Sequence, residues 1–404
     1  MKAAARVVAL VSCGVVLAGC SAAVGDTHAS VGDNTGQTGA PTGASQTSAL
    51  KPLHPRVRLV SSHHHSVSWR GPVVFKAADA TIVSATVRGG PDPVSGAVHA
   101  QGARWRSTGL LTPSTSYHAA VRLRTSTGQR ITRAIRFSTT KPDSTLSLTA
   151  TPGPGYVVGV GEPIVVNFNQ PVTDEAAVQK RMSVMAGSEH IKGSWHWFSS
   201  TLVHYRPKKY WPANTEIKVG IDLANLYVGH GVWGDRNHDW TWHTGNAHIS
   251  YVNSVKHTFT VTSNGKRIAV WPTGTGMPGF DTRSGTYVVL DKSPTVEMTS
   301  CSVGLSCTPG TANYYDLQVS WDTRVTDSGT FVHAAPWDSE MGVANTSHGC
   351  IHLATTHARS FYHMSLPGDI VTLTGSPRPP NPDDPGMMDW NMSWSQWRAG
   401  SALH

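Results

Sequence analysis

Two stretches near the C-terminal end, Phe331-Val-His-Ala-Ala-Pro-Trp337 and Asn345-Thr-Ser-His-Gly-Cys-Ile351, contain the pattern that decides how the chain is interpreted. The first predicts a short strand ending near His333, and the second brings His348 within two residues of Cys350. The thiolate is the reactive form of cysteine, yet a free thiol with a pKa of about 8.5 is only slightly ionised at neutral pH. We therefore expect a histidine to accept the proton of Cys350, and His333 can do so if the intervening loop folds back.

The other cysteines have other expected uses. Of the 5 cysteines, Cys13 and Cys20 belong to the N-terminal segment. Cys301 and Cys307 are close enough to form a disulfide in an oxidising compartment, which would close a small loop and contribute about 2 kcal/mol on the chain-entropy account. Cys350 is left over, and a leftover cysteine in an exported protein is either an intermolecular partner or a reactive thiol.

Two other uses of these residues remain open. Cys350 could be a buried, inert thiol. Alternatively, zinc could be bound by the nearby Cys and His side chains, namely His333, His348, Cys350 and His352. Their spacing lacks a paired C-x-x-C or H-x₃-H clamp, so we expect no metal and no cofactor.

The N-terminus predicts export. Residues 1–20 begin with Lys2 and Arg6, continue with an apolar stretch too short to span a bilayer, and end in Leu17-Ala-Gly-Cys20. This ending resembles the lipobox of bacterial lipoproteins, so we expect Cys20 to carry lipid and the chain to be anchored to the outer face of the cytoplasmic membrane, facing the periplasm or cell wall. Ordinary cleavage without lipid is the alternative. Residues 21–51 are rich in Gly, Ala, Ser and Thr and predict a flexible tether.

The charge composition gives a weak indication of partners. The net charge is +8 and only 14% of residues are charged. The basic residues look scattered, without a cluster of the kind that binds nucleic acid. We therefore expect no nucleic-acid partner, and a mildly basic exterior that suits anionic wall polymers or membrane headgroups.

The middle of the chain contains an internal repeat. Leu111-Thr-Pro-Ser-Thr-Ser-Tyr117 is echoed by Trp211-Pro-Ala-Asn-Thr-Glu-Ile217, and each unit closes on an aromatic strand that ends at Thr139 or Thr244. Short alternating strands separated by turn residues are typical of immunoglobulin-like sandwiches. The sequence thus predicts a mainly β protein with two such sandwiches in tandem.

The third domain is predicted to be mostly antiparallel β, with one short helix after Cys350. Residues 258–262 and 266–271 flank Asn264-Gly265, a strong hairpin signal, and residues 355–364 have helical spacing. The tail contains Trp390, Trp394 and Trp397, which should pack against a neighbouring domain. The expected segments are signal peptide 1–20, tether 21–51, immunoglobulin-like domains 52–145 and 146–249, catalytic domain 250–375, and docking tail 376–404.

Residues 331–337 and 345–351 resemble the catalytic signature of the L,D-transpeptidases. The chain most resembles the multidomain mycobacterial type, which has two immunoglobulin-like domains before the catalytic domain. The resemblance extends to Gly159-Val-Gly-Glu-Pro-Ile-Val-Val-Asn-Phe168 and, in the tail, to Asp389-Trp-Asn391 and Trp394-Ser-Gln-Trp-Arg-Ala-Gly400.

The resemblance implies a reaction. Cysteine attacks the carbonyl of the third residue of a peptidoglycan tetrapeptide stem, D-Ala leaves, and an amine of another stem takes the acyl group from the thioester to form a 3→3 cross-link. Carbapenem β-lactams acylate members of the family. Hydrolysis by the same site, as an L,D-carboxypeptidase, and a non-catalytic cell-wall-binding module are the alternatives.

The resemblance also implies residue roles. Cys350 corresponds to the nucleophile and His333 to the general base, oriented by the carbonyl of Ala334, while His348, Gly349 and Cys350 correspond to oxyanion amides. The expected substrate contacts are Met298 in a lid hairpin, Tyr315 near the oxyanion site, Trp337 at the acceptor entrance, Ser347, Ala334 and His352. Core packing remains open for Tyr315 and Met298.

Two features depart from the family pattern. The family usually has Asn or Arg two residues after the cysteine, whereas this chain has His352. The lid also carries Cys301 and Cys307, and a bridge between them would stiffen it.

Overall fold

The computed structural model describes residues 54–63 and 66–403. The expected signal peptide, the tether up to residue 51 and the lipidation site Cys20 lie outside the described residues, and those expectations stay predictions. Within the described ranges, no helix is long and apolar enough to cross a membrane.

The first sandwich consists of two sheets around one buried core. Its strands are β1 Arg56–Leu59, β2 Ser62–His63, β3 Ser66–Val67, β4 Val74–Ala78, β5 Thr81–Arg88, β6 Gly96–His99, β7 Arg104–Ser107, β8 Ser116–Arg124 and β9 Arg130–Thr139. The sheet orders are β1-β4-β7-β6 and β2-β3-β9-β8-β5. In β8 every second residue is buried and the others are exposed, because successive side chains of a strand point to opposite faces.

The second sandwich repeats this scheme. Its elements are β10 Ser144–Leu146, β11 Leu148–Thr151, β12 Val157–Val158, β13 Ile164–Phe168, α1 Glu175–Gln179, β14 Met182–Ala186, β15 Glu189–His190, β16 Gly193–Ser199, β17 Leu202–Pro207, β18 Glu216–Asp222, β19 Tyr227–Gly229, β20 Val232–Gly234 and β21 Asn237–Thr244. The two larger sheets are β11-β13-β17-β16 and β12-β21-β18-β14-β15, beside a small β10-β20-β19 sheet.

The internal repeat has a hydrogen-bonding reason. The Thr139 hydroxyl donates to the carbonyl of Thr112 over 2.6 Å and accepts from the Thr115 amide over 3.0 Å. The Thr244 hydroxyl makes the same two contacts, with Pro212 and Thr215, over 2.6 and 2.9 Å. In each sandwich the closing threonine therefore satisfies the backbone of the turn that opens the repeat.

The third domain packs two sheets and a helix around one core. Its elements are β22 His248–Asn253, β23 Thr258–Ser263, β24 Lys266–Pro272, β25 Gly285–Val288, β26 Asp291–Thr299, β27 Asp316–Arg324, β28 Phe331–Ala334, β29 Ile351–Leu353, α2 Thr355–Met364 and β30 Ile370–Thr374. The sheet orders are β24-β23-β22-β30-β25 and β26-β27-β28-β29. Helix α2 contributes Ala358 and Phe361 to this core. The predicted hairpin and helix are present, and two parallel pairs, β22–β30 and β28–β29, join the antiparallel ones.

The Gly159-Val-Gly-Glu-Pro stretch attaches the second sandwich to the third domain. The Gly159 amide donates to the Pro367 carbonyl over 2.7 Å, and the Gly161 amide donates to the Gly368 carbonyl over 2.8 Å. A Cβ atom at Gly159 would overlap the backbone nitrogen of Asp369. Glycine is required here because the two backbones lie in direct contact.

The tryptophan-rich tail packs on the second sandwich. The indole nitrogen of Trp390 donates to the Gly161 carbonyl over 2.7 Å, and that of Trp397 donates to the Ser194 carbonyl over 2.9 Å. The Arg206 guanidinium lies over the rings of both tryptophans and of Trp394 at 4.7–5.4 Å, within cation–π range. The tail contains helix α3 Trp394–Ala399.

Candidate active site

The site is built on the parallel strands β28 and β29. In their register Val332 lies opposite Ile351 and His333 opposite His352. Residues 335–350 form the connection that parallel strands require, so the loop does fold back. Since register partners share a face of the sheet, the two imidazoles lie on one side, with ring centroids 5.0 Å apart.

A cavity of about 980 Å³ opens on this face of the sheet. It is lined by nine of the ten sequence-predicted catalytic and substrate-binding residues: Met298, Tyr315, His333, Trp337, Ser347, His348, Gly349, Cys350 and His352. The tenth, Ala334, is only 2% exposed and does not line the cavity. Sequence reasoning thus found residues from four separated segments that the fold brings to one place.

Cys350 carries a free thiol that reaches the cavity. Its Sγ lies 3.8 Å from the Gly329 carbonyl. Removal from water raises the pKa of the thiol to about 11, and the negative charge of Asp322 adds to this rise, while a backbone hydrogen bond from Phe331 opposes it. At neutral pH the resting sulfur is therefore protonated.

His333 is held as a neutral base. Its Nδ1–H donates to the Ala334 carbonyl over 2.9 Å. Because a carbonyl only accepts, this bond fixes the proton on Nδ1 and leaves the lone pair on Nε2, which makes no hydrogen bond with any described residue. Burial and the neighbouring His352 lower the pKa of His333 to about 3, against the opposing effect of Ala334. The predicted orienting role of the Ala334 carbonyl matches this geometry, whereas its side chain lies outside the cavity.

The backbone around Cys350 differs from the expectation in one respect. Gly349 has a φ of +129°, a conformation that strongly favours glycine. Its amide donates to the Ser347 hydroxyl over 3.0 Å, and that hydroxyl donates to the Cys350 carbonyl over 2.7 Å. Gly349 was expected to offer a free oxyanion amide and Ser347 to contact substrate. In this structure Ser347 lines the cavity but is only 3% exposed, and its hydroxyl is engaged with the backbone of the loop.

His348 packs between two aromatic rings at the edge of the cavity. Its ring centroid lies 4.8 Å from that of Phe280 and 5.1 Å from that of Tyr315. Burial raises the pKa of Tyr315, with the nearby Cys350 adding to the effect. Tyr315 lines the cavity and is not among the buried core residues of the third domain.

The loop that joins β26 to β27 is the segment expected to form the lid. Met298 lies at the end of β26, opposite Leu317, and lines the cavity with Val303 and Leu305 of the loop. Cys301 and Cys307 form a disulfide within this loop. The cross-link therefore closes the short segment that contains the lining residues Val303 and Leu305.

His352 has a carboxylate partner that sequence reasoning missed. Its Nδ1–H donates to Oδ2 of Asp338 over 2.7 Å, and the Thr346 hydroxyl donates to the same oxygen over 2.8 Å. The Asp338 side chain is 2% exposed. Burial lowers the pKa of His352, and Asp338 partly offsets the shift. The departure from the usual Asn or Arg is thus accompanied by a dedicated acceptor, but nothing in the sequence marks Asp338 as that partner.

Positive charge at the cavity was also missed. Arg283 and Arg378 line it, together with the carboxylate of Asp384. Both arginines lie far from Cys350 in sequence and outside any motif, so only the fold associates them with the site. Among the described residues no group of three or more His, Cys, Asp or Glu side chains could hold a metal ion.

Two family profiles match the chain: bacterial Ig domain over residues 64–227 and L,D-transpeptidase catalytic domain over residues 247–373. L,D-transpeptidase 2 of Mycobacterium tuberculosis is 31% identical over 336 residues, 82% of this chain and 81% of that protein. The chain belongs to the L,D-transpeptidase family. L,D-transpeptidase 1 of the same organism is 34% identical over 225 residues, 55% of this chain and 83% of that protein. The solved structure of L,D-transpeptidase LdtMt1 in complex with imipenem is 32% identical, covers 58% of this chain and 100% of that one, and superposes with a TM-score of 0.50.

Proposed function

We propose that this transpeptidase forms 3→3 cross-links between peptidoglycan stems through a thioester on Cys350. One observation carries the proposal. The free thiol of Cys350 and the buried imidazole of His333, with its Nε2 lone pair unused among the described residues, line the same cavity. A thiol and an oriented neutral base are the two groups that acyl transfer requires.

The proton moves between these two groups in each half of the reaction. Nε2 of His333 accepts the thiol proton as Sγ attacks the carbonyl of the third stem residue. The bond to D-Ala then breaks, and the imidazolium gives its proton to the departing amine. In the second half, Nε2 accepts a proton from the acceptor amine, whose nitrogen attacks the thioester, and the released thiolate of Cys350 takes the proton back.

The cavity suits an anionic peptide donor. The cationic side chains of Arg283 and Arg378 lie on its wall and would favour the carboxylates of a stem peptide. Trp337, 48% exposed, lies at the cavity edge with its ring 6.2 Å from the His333 ring, and it borders the acceptor path in this proposal. The amides of His348 and Cys350 would stabilise the oxyanion. The amide of Gly349 would join them only if Ser347 released it.

The chain is proposed to act outside the cell, anchored by lipid at Cys20, with carbapenem β-lactams as inhibitors that acylate Cys350. The imipenem complex of a relative at 32% identity supports the last point. The disulfide Cys301–Cys307 is proposed to limit movement of the lid over bound donor.

Intact-protein mass spectrometry tests the proposal. After incubation with imipenem, the unmodified enzyme should gain one adduct, and both Cys350→Ala and His333→Ala should lose it. Unchanged acylation of Cys350→Ala would falsify the assignment. With a disaccharide-tetrapeptide as substrate, a dimer of stems indicates transfer and a shortened monomer indicates an L,D-carboxypeptidase. Turnover that survives in Cys350→Ala would point to another nucleophile. An absence of turnover in the unmodified enzyme as well as in the variants would leave only the wall-binding function.

A further inference from the structure

The positive charge of the chain is concentrated in the first sandwich. Residues 54–145 contain eleven Arg and two Lys against three Asp, a net charge of +10, whereas the whole chain carries +8. The rest of the chain is thus slightly acidic. The expectation of scattered basic residues is wrong for this domain, because strand pairing brings together charges that lie far apart in sequence.

One row of cations crosses the outer face of the β1-β4-β7-β6 sheet. Arg58 lies opposite Lys76, and Lys76 lies opposite Arg104. Their strand neighbours Phe75 and Trp105 are buried in the core, so alternation directs the three cations outward. Adjacent strands are about 4.8 Å apart, which places three positive charges in a line.

A cavity adjoins this row. It has a volume of about 730 Å³, and its charged lining residues are Arg56, Arg58, Lys76 and Arg133, with no acidic side chain. Arg133 donates to the Pro55 carbonyl over 3.4 Å, which joins β9 of one sheet to the start of β1 in the other. The charged side chains of this cavity, at the edge where the two sheets meet, are therefore all cationic.

These cations lack acidic partners. Within the described residues, the only ion pair of this domain joins Arg70 to Asp143. Like charges that face each other across strands destabilise a sheet, so the row disfavours the folded domain unless an anion occupies it. Eleven of the thirteen cations are arginine, whose planar fork binds phosphate oxygens in pairs.

The opposite face of the sandwich indicates the shape of the partner. On the β2-β3-β9-β8-β5 sheet, Arg88 lies opposite His118, and His118 opposite Arg136. A flat membrane would meet only one of the two faces, whereas polymer chains can pass along both. The exposed large apolar residues of this domain are Val60, Val83, Val98 and Leu110. The described surface of this domain therefore lacks aromatic anchors for a membrane interface or for stacking on nucleic-acid bases.

We propose that the first sandwich binds a linear, phosphate-bearing polyanion along the Arg58–Lys76–Arg104 row and the adjoining cavity. Binding is independent of Cys350. The predicted export of the chain supports only one part of the proposal, namely that the polymer belongs to the cell wall. By this site the enzyme is retained on a wall polymer while its third domain acts on stems.

The test uses the full chain carrying Cys20→Ser, so that no lipid is attached, and fluorescently labelled inorganic polyphosphate. The row variant is Arg58→Glu/Lys76→Glu/Arg104→Glu. The matched control, Lys192→Glu/Lys208→Glu/Lys209→Glu, changes the net charge equally at exposed positions of the second sandwich. By anisotropy, the row variant should bind about 100-fold more weakly, at about 1 kcal/mol for each basic residue near an anionic surface. Its affinity should also depend less steeply on salt, by about two units of log–log slope. The control should lose less than about threefold.

Equal losses in both variants would mean that only net charge matters, and an absence of polyphosphate binding by the unmodified chain would likewise overturn the proposal. If the triple Glu variant does not fold, the neutral variant Arg58→Gln/Lys76→Gln/Arg104→Gln takes its place in the test. It should melt at a higher temperature than the unmodified chain without polyphosphate and should lose the stabilisation that polyphosphate gives. Row-dependent binding to phosphatidylglycerol vesicles or to a single-stranded oligonucleotide that is stronger than binding to polyphosphate would replace the proposal with a membrane or nucleic-acid surface.

Discussion

The resting protonation state of Cys350 gives a sharp prediction about its reactivity. With its pKa raised to about 11 by burial, about one thiol in ten thousand is ionised at pH 7. The pKa of His333 is lowered to about 3, so the imidazole is neutral and the two groups do not form a thiolate–imidazolium pair. Alkylation by iodoacetamide, which requires thiolate and no base, should therefore accelerate tenfold for each pH unit, or about 100-fold between pH 7 and pH 9.

The assay is the rate of mass gain at Cys350 between pH 5 and pH 10, with Cys350→Ala as the background. His333→Ala should keep the same slope, since the neutral imidazole contributes little to ionisation, while losing acylation by imipenem, which needs the base. A rate that is constant between pH 5 and pH 8, and that His333→Ala moves to higher pH, would refute the neutral pair and indicate an ion pair.

Three further predictions concern two packing contacts and the protonation of His352. Gly159→Ala should separate the second sandwich from the third domain, because the new methyl group overlaps the facing backbone. The separation should appear as faster limited proteolysis of the chain between these two domains. Trp397→Ala removes a side chain that is fully buried and bonded to Ser194, and should cost about 3–5 kcal/mol, seen as a lower melting temperature in calorimetry. Asp338→Asn removes the charge that partly offsets burial at His352, so the pKa of His352 should fall further, as read by NMR of the ring.

Each of these predictions has a clear failure. Gly71→Ala is the matched control for Gly159, since its Cβ would meet only the Ser68 carbonyl at 3.9 Å; equal proteolysis of both variants would contradict the docking role. A melting temperature unchanged by Trp397→Ala would show that the tail contributes nothing to stability. A His352 pKa that stays constant or rises in Asp338→Asn would mean that the carboxylate does not act on the imidazole.

Local signals in the sequence were reliable where local chemistry decides the structure. The hairpin turn at Asn264 and Gly265 and the helix Thr355–Met364 follow from short-range patterns and are present. The repeated threonines Thr139 and Thr244 mark equivalent hydrogen bonds in the two sandwiches. The histidine and cysteine motif singled out residues 331–337 and 345–351, and the fold brings residues of both segments to one cavity.

Features that depend on strand pairing were not predictable. The register that sets His333 opposite His352 is a non-local property of β28 and β29. The same holds for the row formed by Arg58, Lys76 and Arg104, which are scattered in sequence and adjacent in the sheet. No sequence motif marks Asp338 as the carboxylate partner of His352.

The use of the Gly349 amide was also beyond the sequence. That amide is bonded to Ser347, and the bond depends on a loop conformation in which φ of Gly349 is positive. The motif identified both residues, but only the folded loop shows which hydrogen bonds they make.

The most direct test of the central claim is to locate the acyl group on the enzyme during turnover. After brief incubation with a disaccharide-tetrapeptide, rapid acid quench and proteolysis, tandem mass spectrometry should find the donor, less D-Ala, as a thioester on the peptide that contains Cys350. The same adduct should be missing from His333→Ala. An acyl group on any other residue, or cross-linked product that accumulates in Cys350→Ala, would contradict the account.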